Sequence, residues 1–177
     1  DVADKIFWAK VCYAGILSCP VFFFTFALEY IGLGRWLTRR TLALLFVVPV
    51  IIFGFVVTNE AHGLIWSSIA PNPAGHNLLV TGRGAVFWIG VIGYSYSLML
   101  AATALIVRAA LQSSTVYRRQ AWLIVLAVAL PWAVNIIYIA NVGPTAYLDL
   151  TPLVLVASGA LIALNIFQFG LLDLTPI

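Results

Sequence analysis

Three side chains with polar or aromatic chemistry stand three residues apart inside one apolar run: Trp132, Asn135 and Tyr138. At helical pitch they project roughly to one side. An amide in an apolar interior must find a hydrogen-bond partner. Asn135 is therefore interhelical glue, the common use of such a residue, or part of a ligand-facing patch, and the two roles are compatible. Pro131 beside it frees the carbonyl of Ala127 and can kink the helix there. Trp88, Tyr94 and Tyr96 in an earlier run, and Thr151 and Ser158 in a later one, extend the set. Asn165 continues the side of Ser158 at seven-residue spacing. Aromatic faces with a few amides and hydroxyls suit a small, partly apolar ligand. Asp149 and Thr151, just ahead of Pro152, read first as the polar start of a helix with proline at its first turn.

Other chemistry is absent. His62 and His76 lie in one polar stretch, with no cysteine or acidic partner at metal-ligand spacing, so they read as surface or interface histidines. His62 and Trp66 are the candidate functional residues of that stretch. Cys12 and Cys19 fall seven apart, on one helix face but about 10 Å apart, too far for a bond to each other; they read as buried packing residues. No Asp, Glu, Lys, Arg or His stands in the middle of an apolar run. An intramembrane ionisable group is costly and is kept for ion and proton pathways, so a pump or an ion-coupled transporter is disfavoured. The last run has no lysine, which excludes a retinal Schiff base there. Neither a Gly-rich phosphate loop nor a carboxylate pair occurs. The expectation is no catalytic residue, no metal and no cofactor. Glu29 is expected to pair with Arg35 or Arg39, or to snorkel to the interface.

The elements that must position these residues follow from composition. Of the 177 residues 63% are hydrophobic and 8% charged, against about 25% charged in soluble domains. A soluble globule cannot hide that much apolar surface. Apolar runs of helical length recur at 6–31, 41–58, 84–111, 120–140 and 151–172, each close to the roughly 20 residues that cross a bilayer. Barrel strands would be shorter and alternate in polarity. The predicted fold is all-α: one polytopic transmembrane helix bundle over 1–177, in contact with the lipid bilayer. Connections are short except at 59–83, which has Pro71 and Pro73 but also Leu64, Ile65 and Trp66; an amphipathic piece lying at the interface fits it. Pro20, Pro49 and Pro131 are candidate bending points. Gly93, Ser97 and Ala101 form a ridge of small residues suited to close helix packing.

Arg35, Arg39, Arg40, Arg108, Arg118 and Arg119 fall on one side of this layout, with Lys5, Lys10 and Arg83 on the other. The positive-inside rule then puts 59–83 and the N-terminus outside and 173–177 in the cytoplasm of a multi-pass cell-membrane protein. Trp8, Trp36, Trp66, Trp88, Tyr117, Trp122 and Tyr147 fall near run ends, as interfacial anchors. Trp88, Tyr94, Trp132, Asn135, Tyr138, Thr151 and Ser158 share the outer half. They line an outward-opening cavity or belong to a solidly packed bundle. The chain opens on Asp1 with no basic region or cleavage site, so the start is not a signal peptide and reads as part of a longer chain.

The order of several short stretches resembles the N-terminal seven-helix sensor region of membrane histidine kinases. These are Phe87-Trp88 with Tyr94-Ser95-Tyr96, Arg119-Gln120, Pro131-Trp132-Ala133-Val134-Asn135 with Tyr138, Leu148-Asp149-Leu150-Thr151-Pro152, Ser158-Gly159, and the closing Leu171-Leu172-Asp173-Leu174-Thr175-Pro176-Ile177. His62-Gly63-Leu64-Ile65-Trp66 is also similar. The resemblance implies seven helices, of which this chain would hold the last five. It implies a kinase or diguanylate cyclase output, often through PAS or GAF domains, in the same polypeptide, reached past Asp173 and Pro176. It further implies a homodimeric full-length protein. No ligand is named by it, and no nucleic acid is expected. Two other classes remain open from the residues alone: a small permease or channel subunit, and a membrane scaffold that binds a partner helix through the Gly93 ridge.

Overall fold

The computed structural model describes residues 2–71, 79–112, 115–140 and 150–169. The chain is an all-α transmembrane helix bundle that carries, among the described residues, one small antiparallel pair of strands, the hairpin. Helix α1 spans Val2–Tyr30, α2 Arg39–Val57, the short α3 Asn59–His62, α4 Ser95–Gln112, α5 Thr115–Ile139 and α6 Thr151–Phe169. A 3₁₀ turn, Gly34–Trp36, links α1 to α2. Strands β1, Trp66–Pro71, and β2, Leu79–Arg83, pair antiparallel. Among the described residues, Val2–Tyr30, Arg39–Val57, Phe87–Gln112 and Ala121–Ile139 are long and apolar enough to cross a membrane, and Leu153–Leu164 is a shorter apolar stretch.

Local rules explain the boundaries. Thr38 starts α2 by accepting the Thr41 amide at 3.2 Å on its hydroxyl, which satisfies one of the unpaired donors of a helix start. Gly63 ends α3 at φ +63, a left-handed conformation that other residues rarely adopt. Pro20, Pro49 and Pro131 all lie inside helices.

Two compact units divide the chain, Asp1–Leu105 and Ile106–Ile177. In the first, α1 packs on α2, and α2 on the segment before α4. Its core joins Tyr13 and Leu17 of α1, Ile52 and Val56 of α2, Ile65, Trp66 and Val91. Lipid is as apolar as these side chains, so close packing and hydrogen bonds carry much of the helix association. In the second unit α5 packs against α6. The less exposed residues of α6 recur as Thr151, Val154 and Ser158, those of α5 as Trp132, Asn135 and Tyr138, while Ile136, Ile137, Leu155 and Val156 are exposed.

Several expectations are corrected. The stretch 59–83 holds α3 and the strands β1 and β2, secondary structure not expected there. The run over 84–111 is not uniformly α-helical, because Phe87–Tyr94 is a π-helix. Cys12 and Cys19 are exposed rather than buried. Trp66, expected as an interfacial anchor, is 7% exposed and meets the Tyr13 ring edge-on at 5.3 Å. Of the two readings of Glu29, pairing with Arg35 or Arg39 is not seen among the described residues; its carboxylate lies against Gly34.

Candidate functional site: the hairpin junction and the α5–α6 polar face

The junction is built around three residues, Leu64, Ile65 and Trp66. Their amides are held by α3. Asn59, 4% exposed, accepts from the amides of Ile65 at 2.9 Å and Trp66 at 3.0 Å on Oδ1, and donates from Nδ2 to the Trp66 carbonyl at 3.1 Å. The amide of Leu64 donates to His62 Nδ1 at 3.0 Å. The carbonyls of Leu64 and Ile65 are taken by the segment that leads into the next span. Gly84 donates to the Ile65 carbonyl at 2.9 Å, and Val86 and Phe87 donate to the Leu64 carbonyl at 3.0 and 3.4 Å. The first amides of a helix have no partner within it, so Leu64 acts as a backbone cap. Gly84 permits this approach: a Cβ there would fall on the Leu64 carbonyl oxygen.

The ring of His62 has a defined polarity. Nδ1 accepts, so the neutral ring carries its proton on Nε2, and that N–H donates to Thr58 Oγ1 at 3.1 Å. The Thr58 hydroxyl in turn donates to the Gly54 carbonyl of α2 at 2.8 Å. Phe55 meets the imidazole edge-on at 5.5 Å. Lys10 of α1 closes the same end. It donates to the Val57 carbonyl at 2.8 Å and pairs with Glu60, with Nζ 2.6 Å from Oε1 and 2.8 Å from Oε2. The Lys10 hydrogen bond holds the Glu60 carboxyl below its ordinary value; a backbone hydrogen bond and, further down, the charge of His62 act the same way. The guanidinium of Arg83 lies over the rings of Phe87, at 5.4 Å, and Trp88, at 5.8 Å.

Below the junction, Tyr94 ends the π-helix and donates its hydroxyl to the Leu45 carbonyl of α2 at 2.5 Å. The reason is Pro49. A proline has no N–H for the carbonyl four residues before it, which here is Leu45, and Tyr94 supplies the missing donor. π-Turns occur often at functional sites.

The expected site residues divide between the units. Trp88, exposed, and Tyr94 belong to the first, as do His62 and Trp66. Trp132, Asn135, Tyr138, Thr151 and Ser158 belong to the second. There Asn135 Nδ2 lies 3.4 Å from Thr151 Oγ1, so α5 and α6 share a polar contact. Ser158 is 5% exposed, and its hydroxyl has no hydrogen-bond partner among the described residues. Asp149, Asp173 and Pro176 lie outside the described residues. No group of three or more His, Cys, Asp or Glu able to hold a metal occurs among the described residues. Sequence reasoning missed Asn59, Lys10 with Glu60, and the Pro49–Leu45–Tyr94 relation. The last had a signal, since the rule that exposes Ala127 through Pro131 exposes Leu45 through Pro49.

The family described as the N-terminal 7TM region of histidine kinase matches residues 1–176. The chain belongs to this family. Neither a curated protein nor a solved structure matches it. Membership in the histidine-kinase 7TM family makes the chain a multi-pass membrane region tied to kinase signalling, so the junction and the α5–α6 face are candidates for reception and relay.

Proposed function

We propose that this chain is the sensory input region of a signal-transduction histidine kinase or a related cyclase. It receives a stimulus on the side that carries the hairpin and relays it through α6 to a cytoplasmic output domain. The observation that carries this reading is the family match over residues 1–176. The chain's own part is reception: the kinase or cyclase chemistry belongs to the output domain. The basic residues favour the hairpin outside and 173–177 inside.

On this reading Trp132, Asn135, Tyr138, Thr151 and Ser158 form the face through which α5 and α6 exchange the signal. The polar contact between Asn135 and Thr151 has a definite cost when broken inside a membrane, about 0.6 kcal/mol on average and up to about 1.7. A stimulus must bind two packings of these helices unequally if it is to shift them. The decisive test is Asn135→Leu in the whole kinase. Insertion and abundance should stay normal while the autophosphorylation response to the native stimulus changes. An unchanged response would overturn the assignment of this face to the relay.

A further inference from the structure

We infer that His62 is a proton sensor, in which protonation of the ring expels the Leu64 amide from Nδ1 and so loosens the backbone cap on the span Phe87–Gln112. The geometry leaves little latitude. In the neutral ring, hydrogen bonds run in one direction: Leu64 N–H to Nδ1, Nε2–H to Thr58, Thr58 O–H to the Gly54 carbonyl. A second ring proton can go only onto Nδ1. Two donors then face each other, the Nδ1–H and the Leu64 N–H, and their hydrogen bond is lost. Imidazole is the side chain whose ordinary titration falls between about pH 5 and 8.

The loss is transmitted by one peptide. The residue whose amide is released is the residue whose carbonyl receives the Val86 and Phe87 amides. Gly84 lies directly against that carbonyl, so Leu64 cannot turn without moving the start of the span. The π-helix begins at Phe87, where the helical geometry already departs from α.

The ring is exposed, and the described residues on the elements around it are these. From α2 comes the Phe55 ring and from its cap the Thr58 hydroxyl, and α2 has no charged residue beyond Arg40. From α1 comes Lys10, engaged by Glu60 and by the Val57 carbonyl. From α3 itself comes Glu60, which is ionised throughout the imidazole range because its carboxyl is lowered. The charged residue of β2, Arg83, lies over the Phe87 and Trp88 rings. Among these groups His62 is the imidazole, and its ring nitrogens are the atoms bonded to both Leu64 and Thr58.

The switch stands on this geometry, and only its consequence for signalling rests on the sensory reading above. The test is an NMR pH titration of the ¹⁵N-labelled chain in lipid nanodiscs. The amide resonances of Leu64, Val86 and Phe87 should move together, with the midpoint of the His62 ring nitrogens. At high pH the ring nitrogens should report Nε2–H with Nδ1 accepting. His62→Gln should abolish the coordinated movement, and His76→Gln should leave it intact. Amides that do not move with the ring, an Nδ1–H ring at high pH, or a response lost with His76 instead would each overturn the proposal. The ring reading needs no variant, so a misfolded His62→Gln does not decide the matter. In the whole kinase, output that follows external pH and loses that dependence in His62→Gln extends the switch to signalling. Output indifferent to pH, in a chain whose Leu64 amide still titrates, counts against the sensory reading and leaves the switch standing.

Discussion

Tyr94 and Pro49 show how one residue creates a need that another meets. A buried carbonyl left without a donor costs about 1–3 kcal/mol. Pro49 opens that cost at Leu45, and Tyr94 removes it across the α2 contact. Tyr94→Phe should therefore destabilise the chain by about 1 kcal/mol, within the range for interhelical hydrogen bonds in membranes. The same change in a Pro49→Ala background should cost less, because the backbone amide restored by that substitution can serve Leu45 itself. A double-mutant cycle on unfolding in mixed micelles measures the coupling. Equal losses in both backgrounds would show that the Tyr94 hydroxyl does not answer the gap left by Pro49. The sequence offers Tyr94 only as a candidate ligand-facing aromatic, because its partner is a backbone atom 49 residues away.

At the scale of elements, the helices were legible and the hairpin was not. Runs of apolar residues about 20 long state a span directly, and Thr38 marks a helix start by its type. The strand Trp66–Pro71 hides for a physical reason. Trp66 and Ile69 are three apart, and in a regular strand they would face opposite sides. The register is irregular between Trp66 and Ser68, and this extra residue lets Trp66 and Ile69 both join the core. A bulge thus erases the alternation by which a strand is read. The π-helix is hidden likewise, because its wider turn leaves no mark in composition. The polar set Trp132, Asn135 and Tyr138 was legible from spacing. Asn59 was not, since its partners are backbone groups of Ile65 and Trp66, and backbone groups carry no residue type to read. Glycine substitutions separate the elements that depend on close approach from those that do not. Gly84→Ala puts a Cβ onto the Leu64 carbonyl and should cost at least about 1–3 kcal/mol, as overpacking does. Gly54→Ala, in α2 with nothing within 4 Å of a Cβ, should stabilise by about 0.5–1 kcal/mol through helix propensity. Thermal unfolding of the two variants beside the parent chain reads both signs. A harmless Gly84→Ala would mean that the junction is not held by Leu64.

At the scale of the whole molecule, the direction of signalling depends on which end faces out. Arg35, Arg39, Arg40, Arg108 and Arg118 are all exposed, so none is drawn into an internal pairing that would cancel its pull on topology. Lys10, by contrast, is bound by Glu60 at the hairpin end. Basic residues near helix ends set orientation, whereas acidic ones count little; six against three therefore favours the hairpin outside. Accessibility can decide it. With Cys12 and Cys19 replaced by serine, Ala70→Cys in β1 should react with a membrane-impermeant maleimide in intact cells. Gln112→Cys, at the far end of the span Phe87–Gln112, should react only once the cells are permeabilised. Both positions are exposed, so a lack of reaction reports the membrane and not burial. The opposite pattern would turn the chain over, and with it the side on which His62 meets protons: the junction would then sample the interior of the cell, where pH is held steady, and a sensor placed there would need another stimulus.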